Sequence, residues 1–196
     1  CPQGALSVPP GKGSIAKAVI VAKKKGIRTL FLEKGMHVVH WKQLCLNCCG
    51  CGFCFDNQHI KIDFSLTLIG ASRDEVIVKG GFSLRGEVED YIRLGNMTLL
   101  TPELVRYNAL NYHSYTGHGI RASGGVGFHC ENVLIDRRRG YGISCGYGSH
   151  GTLSDCVITN CEGYGIQSGS FGSLSFLDMK GEKTRVTGNN THDYAS

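Results

Sequence analysis

Residues 128–149, FHCENVLIDRRRGYGISCGYGS, fall in register with 153–173, LSDCVITNCEGYGIQSGSFGS, when the chain is laid over itself at a step of 23. The overlay sets Val133 over Cys156, Ile135 over Ile158, Tyr141 over Tyr164 and Ile143 over Ile166. Gly-Tyr-Gly-Ile stands at 140–143 and again at 163–166, and Gly-His-Gly-Ile stands one step earlier at 117–120. Continuing the same step predicts one column of Cys130, Leu153 and Phe176 and extends the Val133 column to Met179. A fixed period in the range of about 20–50 residues signals stacked structural units.

Within each period the segments ENVLID and YGISC alternate apolar and polar residues and are bounded by Gly, Asn or Ser. They are too short for helices and rich in β-branched residues, so they read as strands. Short strands at a constant count, with no helical crossover, predict an all-β, single-stranded parallel β-helix of about six coils, each rising about 4.8 Å. In such a coil a glycine at one place in every turn relieves a Cβ clash, and the isoleucine after it fills the interior.

Upstream, TLFLEKGMHVVH, LTLIGASRDEVIVKGGFSLRG and YIRLGNMTLL continue the strand pattern with less regular spacing. Residues 101–116 delay the next rung by thirteen residues and predict a protruding loop. Ile15, Ala18, Val19 and Ala22 fall at helical spacing, with Ser14 as the expected N-cap and Gly26 as the stop. A helix at 14–25 would cover the open end of the coil and its strand edges. The domain expected is therefore 14–190, with an arm at 1–13, an insertion at 43–56 and a tail at 191–196.

This arrangement of capping helix, TLFLEKGMHVV, LTLIGASRDEVIVKGG and GYGI coils resembles the pectin-lyase-like, right-handed parallel β-helix superfamily over residues 14–190. The resemblance implies the fold. It leaves function open among lyases, hydrolases, epimerases, tailspikes and non-catalytic modules. Polygalacturonase-type members carry Asn-Thr-Asp, a paired Asp-Asp, Gly-His-Gly and Arg-Ile-Lys, because glycosidic cleavage uses two carboxyls. Here only Gly117-His118-Gly119 matches, and His118 occupies the slot that Tyr141 and Tyr164 fill in the next coils. A lyase-type site would need clustered acids and an arginine base; the nearest constellation is Asp136 with Arg137, Arg138 and Arg139, and Arg139 faces Glu162 one coil later. Asp136, Arg138 and His118 are the catalytic candidates. Asn132, Asp155 and Asp178 share one predicted column, which turn residues explain equally well.

Binding is the other chemistry the pattern offers. His118, Tyr141 and Tyr164 form a column of rings beside Arg121 and Arg137, Arg138 and Arg139. Arg137, Arg138, Arg139, Tyr141 and Tyr164 are the candidates for contacting an acidic glycan or an acidic protein. The net charge of +5 is concentrated in residues 1–42, where eight Lys/Arg face only Glu33. Lys23–Lys25 read as the last turn of a helix facing water, so no nucleic-acid partner is expected from them. No apolar run approaches the roughly 18 residues of a membrane span.

Ten cysteines form two groups. Cys130 and Cys156 fall in apolar columns and read as free, buried thiols, which leans towards a reducing intracellular compartment. Cys45, Cys48, Cys49, Cys51 and Cys54 lie within ten residues, a spacing that suits zinc, disulfides or free thiols. The sequence thus predicts a non-catalytic scaffold or protein-interaction module, of the kind that serves as a subunit of a larger assembly. Its alternative is a carbohydrate-active protein: a lyase or epimerase of acidic polysaccharides, or a glycan binder.

Overall fold

A computed structural model describes residues 1–39, 59–101, 117–138, 140–146, 148–169, 176–190 and 193–195. The strands run around a parallel coil with three faces. The first face stacks β1 (Leu6–Val8), β3 (Thr29–Leu32), β6 (Leu66–Gly70), the first half of β9 (Tyr91–Leu100), the first half of β11 (Gly127–Asp136), β13 (His150–Ser154) and β16 (Phe176–Lys180). The second stacks β2 (Gly11–Lys12), β4 (Gly35–Val38), β7 (Val76–Lys79), the later halves of β9 and β11, β14 (Val157–Thr159) and β17 (Arg185–Thr187). The third stacks β5 (His59–Ile62), β8 (Gly81–Arg85), β10 (Ile120–Ser123), β12 (Ile143–Cys145), β15 (Ile166–Ser168) and β18 (Tyr194–Ala195). Every pairing among the described residues is parallel. The all-β parallel β-helix is the fold.

The core follows from alternation. Leu30, Leu68, Leu94, Cys130 and Leu153 stack as one inward column, and Phe82, Ile120, Ile143 and Ile166 as another. All nine are essentially inaccessible to solvent. Each such aliphatic side chain contributes about 1.5–3 kcal/mol on burial. Volumes, unlike the backbone, do not repeat: Phe128 of one coil lies under Gly151 of the next, where an added Cβ would stand 2.2 Å from the phenyl Cζ.

The helix α1 spans Ser14–Lys25 and buries Ile15, Ala18, Val19 and Ala22 against β1, β3, β4 and β5, strands from all three faces. It therefore lies across the N-terminal end of the coil. Its N-cap is Gly13, in the left-handed region at φ 71°, not Ser14. Ser14 is already helical, and its hydroxyl donates back to the Gly11 carbonyl at 3.2 Å. Gly26 closes the helix at φ 67°, as the sequence predicted.

Two boundaries and the repeat period shift. Residues 1–13 are more than an arm, because β1 and β2 pair with β3 and β4 and begin the coil. The segment 191–196 is more than a tail, because β18 pairs with β15. The period of 23 holds from β11 to β13 but becomes 26 from β13 to β16, where Leu153 pairs with Met179. The chain between β15 and β16 is three residues longer than that between β12 and β13, and that length resets the register. Phe176 thus aligns with His150 and Asp178 with Thr152, so neither Phe176, Met179 nor Asp178 joins the column predicted for it.

The corner between the first and second faces instead stacks Asn96, Asn132 and Asp155, at φ 54°, 52° and 53°. Asn and Asp are the side-chain-bearing residues that tolerate this left-handed turn best. The Asn132 amide donates to the Asn96 side-chain oxygen at 2.9 Å, tying two coils together.

Candidate functional site

The Gly-aromatic-Gly motif packs at the corner that opens the third face. Each of its glycines has a separate reason. A Cβ on Gly140 would stand 2.7 Å from His118 Nδ1, and one on Gly163 would stand 2.6 Å from Tyr141 Cδ1, so the first glycine leaves room for the ring of the preceding coil. A Cβ on Gly119 would stand 2.6 Å from the Gly142 carbonyl, and one on Gly142 would stand 2.5 Å from that of Gly165. The second glycine thus admits the backbone of the following coil. The rings then form a ladder: His118 stacks on Tyr141 with centroids 4.7 Å apart, and Tyr141 meets Tyr164 at 5.4 Å with the planes tilted by 42°.

His118 is buried in this ladder. The Tyr141 backbone N–H donates to its Nδ1 at 2.9 Å. Desolvation, followed by the nearby His59 and then Arg121 and Arg138, lowers its pKa to about 3. It is therefore neutral at ordinary pH, which is a poor setting for the proton transfers of a catalytic histidine. Its resemblance to the pectinolytic Gly-His-Gly is accounted for by the ladder.

Arg138 corrects the sequence reading most sharply. It is completely buried. Its Nε donates to the Gly117 carbonyl at 3.0 Å, Nη1 to Gly80 at 3.0 Å and Nη2 to His118 at 2.5 Å. His59 Nε2 donates to the same His118 carbonyl at 3.0 Å. Burial lowers the guanidinium pKa to about 10, leaving it charged at neutral pH. The planar fork reaches carbonyls of neighbouring coils at once, a geometry that a lysine lacks. Arg138 is a staple between coils and cannot touch a glycan or act as an exposed base.

Its inward course comes from Arg137, whose left-handed φ of 52° breaks the alternation after β11. Arg137 itself is exposed, and its Nε lies 3.4 Å from Asp136 Oδ2. Asp136 also accepts from the Asn160 amide at 2.8 Å. Asp136 and Arg138 therefore do not form an acid–base pair. Tyr141 and Tyr164 are half-buried in the ladder, neither wholly inward nor presented as a platform. Arg139 and the cluster Cys45, Cys48, Cys49, Cys51 and Cys54 lie outside the described residues. Among the described residues no three His, Cys, Asp or Glu side chains are placed to hold a metal.

Cys130, Cys145, Cys156 and Cys161 are free and buried. Burial raises all four thiol pKa values, to about 11 for Cys156 and Cys161, which leaves them as unreactive packing groups.

Among the described residues the outer side of the third face carries an ordered set of polar side chains. Lys61, Ser83, Arg121, Ser144 and Gln167 stand in one column, from β5 to β15, each paired in register with the next. The flanking positions Arg85 and Ser123 also pair. Among the described outward positions on these five strands there is no carboxylate. The links containing 40–58 and 102–116 both leave the second face and rejoin the chain at the third, at β5 and β10.

The sequence reading named Arg121 but not the column. Arg121, Ser144 and Gln167 follow the 23 step, whereas Ser83 precedes Arg121 by 38. Register across that long link, which the sequence does not encode locally, was needed to connect them.

No known protein-family profile matches the chain, and no curated protein matches it. Among solved structures it is similar to the catalytic domain of a GH87 alpha-1,3-glucanase in complex with tetrasaccharides, at 11% identity and a TM-score of 0.49. The match covers 94% of this chain and 40% of that one, so the chain spans less than half of its neighbour's length. Among the described residues no helix is long and apolar enough to cross a membrane.

Proposed function

We propose that this protein binds an extended acidic polysaccharide along the outer side of its third face. The observation that carries the reading is the column of Lys61, Ser83, Arg121, Ser144 and Gln167 across five consecutive coils, with no carboxylate among the described outward positions of those strands. Coils repeat every ~4.8 Å, so a polymer lying along the axis meets cations, hydroxyls and an amide at regular intervals. Lysine and arginine supply charge-assisted donors to carboxylate or sulfate groups, and the serines and glutamine suit sugar hydroxyls. Arg85 adds a further cation beside the column.

This reading prefers the carbohydrate alternative to the interaction scaffold. It makes no claim of cleavage. The acid–base candidates are occupied elsewhere: Arg138 in its staple, His118 in its ladder and Asp136 in its corner.

The test is affinity electrophoresis and calorimetry with polygalacturonate, alginate and a neutral glucan. Lys61→Ser combined with Arg121→Ser is expected to weaken binding to the acidic polymers by about 10-fold or more, since each lost charge-assisted contact is worth roughly 1.5–3 kcal/mol in the absence of compensation. Binding should also fall steeply with salt. Equal binding of the neutral glucan, or a double variant that binds like the parent, would refute the proposal. Steady formation of unsaturated, ultraviolet-absorbing product would replace it with lyase activity.

A further inference from the structure

The outer side of the first face carries chemistry that the third face does not use. Strand alternation turns Tyr91, Gly127 and His150 outward as one column, paired in register across β9, β11 and β13. Tyr91 and His150 stand two coils apart, about 9.6 Å. Their rings nonetheless lean towards each other over the glycine between them: a Cβ at Gly127 would stand 3.0 Å from Tyr91 Cδ2 and 2.9 Å from His150 Nε2. Gly127 is accordingly buried although its position is an outward one, while Tyr91 is 51% exposed. The missing side chain lets two rings meet over one rung as a small aromatic platform.

Two residues further along each strand the face becomes polar. Arg93 donates to the Glu131 carboxylate, and His129 Nε2 lies 4.0 Å from the same group. Thr152 continues the row of Arg93 and His129. Burial, then Arg93, lowers the His129 pKa, so at pH 7 its ring is neutral and offers one donor and one acceptor. One coil on, Lys180 Nζ lies 3.1 Å from Asp178 Oδ2. The two ion pairs balance. That separates this patch from the third face, whose described outward positions hold cations and no carboxylate.

We propose that this patch is a second saccharide site, and that it takes a neutral pyranose. An anion would meet Glu131 and Asp178, and a cation would meet Arg93 and Lys180. A neutral sugar suits both halves of the patch. Its C–H face lies on the Tyr91–His150 platform, and its hydroxyls meet Arg93, His129, Glu131 and Thr152, which supply donors and acceptors together. The site lies on another side of the coil from the polyanion face and stands independently of it. A contact of one or two sugar rings is weak, so it leaves the preference of the third face for acidic polymers intact.

Amide NMR on the intact chain, titrated with cellotetraose and with mannotetraose, tests it. The Tyr91, Arg93, Gly127 and His150 signals should shift saturably with at least one of the two. Tyr91→Ala, a change at a half-exposed side chain, should weaken that binding by about 10-fold. Gly127 lies outside the left-handed region, so alanine fits its backbone while driving a methyl between the two rings. Gly127→Ala should therefore cost a similar factor with both rings retained, whereas Met36→Ser on the second face should change nothing. Tyr91→Ala should leave polygalacturonate binding as it was, so the two sites stand or fall separately. Absence of first-face shifts with both sugars overturns the inference. So does a Gly127→Ala protein with the parent's urea midpoint that binds like the parent, and so do first-face shifts of equal affinity with galacturonate oligomers.

Discussion

Acidification separates a ladder histidine from a catalytic one, and His118 offers the measurement. In the unfolded chain its imidazole titrates near 6.5, whereas in the ladder burial holds it at about 3. Between those values the unfolded state binds the extra proton and the folded state does not. The contribution is complete above pH 6.5 and is lost as pH falls towards 3. Each pH unit within that window removes about 1.4 kcal/mol, so roughly 2–3 kcal/mol should disappear between pH 6.5 and 4.5. Carboxylates such as Glu131, whose pKa the Arg93 hydrogen bond lowers, add their own loss on acidification. The comparison must therefore be with a variant. His118→Phe keeps a ring in the rung and removes the titration. Urea unfolding of both proteins at pH 7.5 and 4.5, with equal m-values, should show the parent losing about 2 kcal/mol more than the variant. At pH 7.5 the variant should itself be less stable by about 1 kcal/mol, because the Tyr141 N–H loses its acceptor. Parallel pH dependences in the two proteins would refute a neutral, buried His118.

Two further outcomes test the packing. Arg138→Met should lower stability by roughly 3–5 kcal/mol, because the buried Gly80, Gly117 and His118 carbonyls lose their guanidinium donors; a thermal midpoint within a degree or two of the parent would show that the staple is dispensable. Gly142→Ala places a methyl 2.3 Å from Ile158 Cγ2 and 2.5 Å from the Gly165 carbonyl. It should cost about 3 kcal/mol in urea unfolding, and an unchanged midpoint would refute the backbone-clearance account of the motif.

The coil and its rungs were legible because the backbone repeats every 23 residues from 117 to 166, and stacking requires only that step. The longer links hid the rest. Steps of 36 from β9 to β11 and 38 from β8 to β10 break the overlay, so Lys61 and Ser83 could not be set beside Arg121. The last coil was misregistered for the same reason, three extra residues between β15 and β16. Arg138 was illegible for a different cause. In DRRRG the side chains are chemically identical, and which of them turns inward is decided by the backbone angle at Arg137. Ser14 was misassigned because its hydroxyl suits an N-cap, yet the chain needs a left-handed residue there and Gly13 supplies it. The stack of Asn96, Asn132 and Asp155 was half visible, with Asp178 standing wrongly in place of Asn96.

The fit of Phe128 beneath Gly151 has a consequence for anyone lengthening this molecule. Copying one 23-residue unit verbatim would seat a phenyl ring above another phenyl ring, in space shaped for a hydrogen atom. Growth by duplication would thus jam at its first added layer unless large and small residues were alternated by hand.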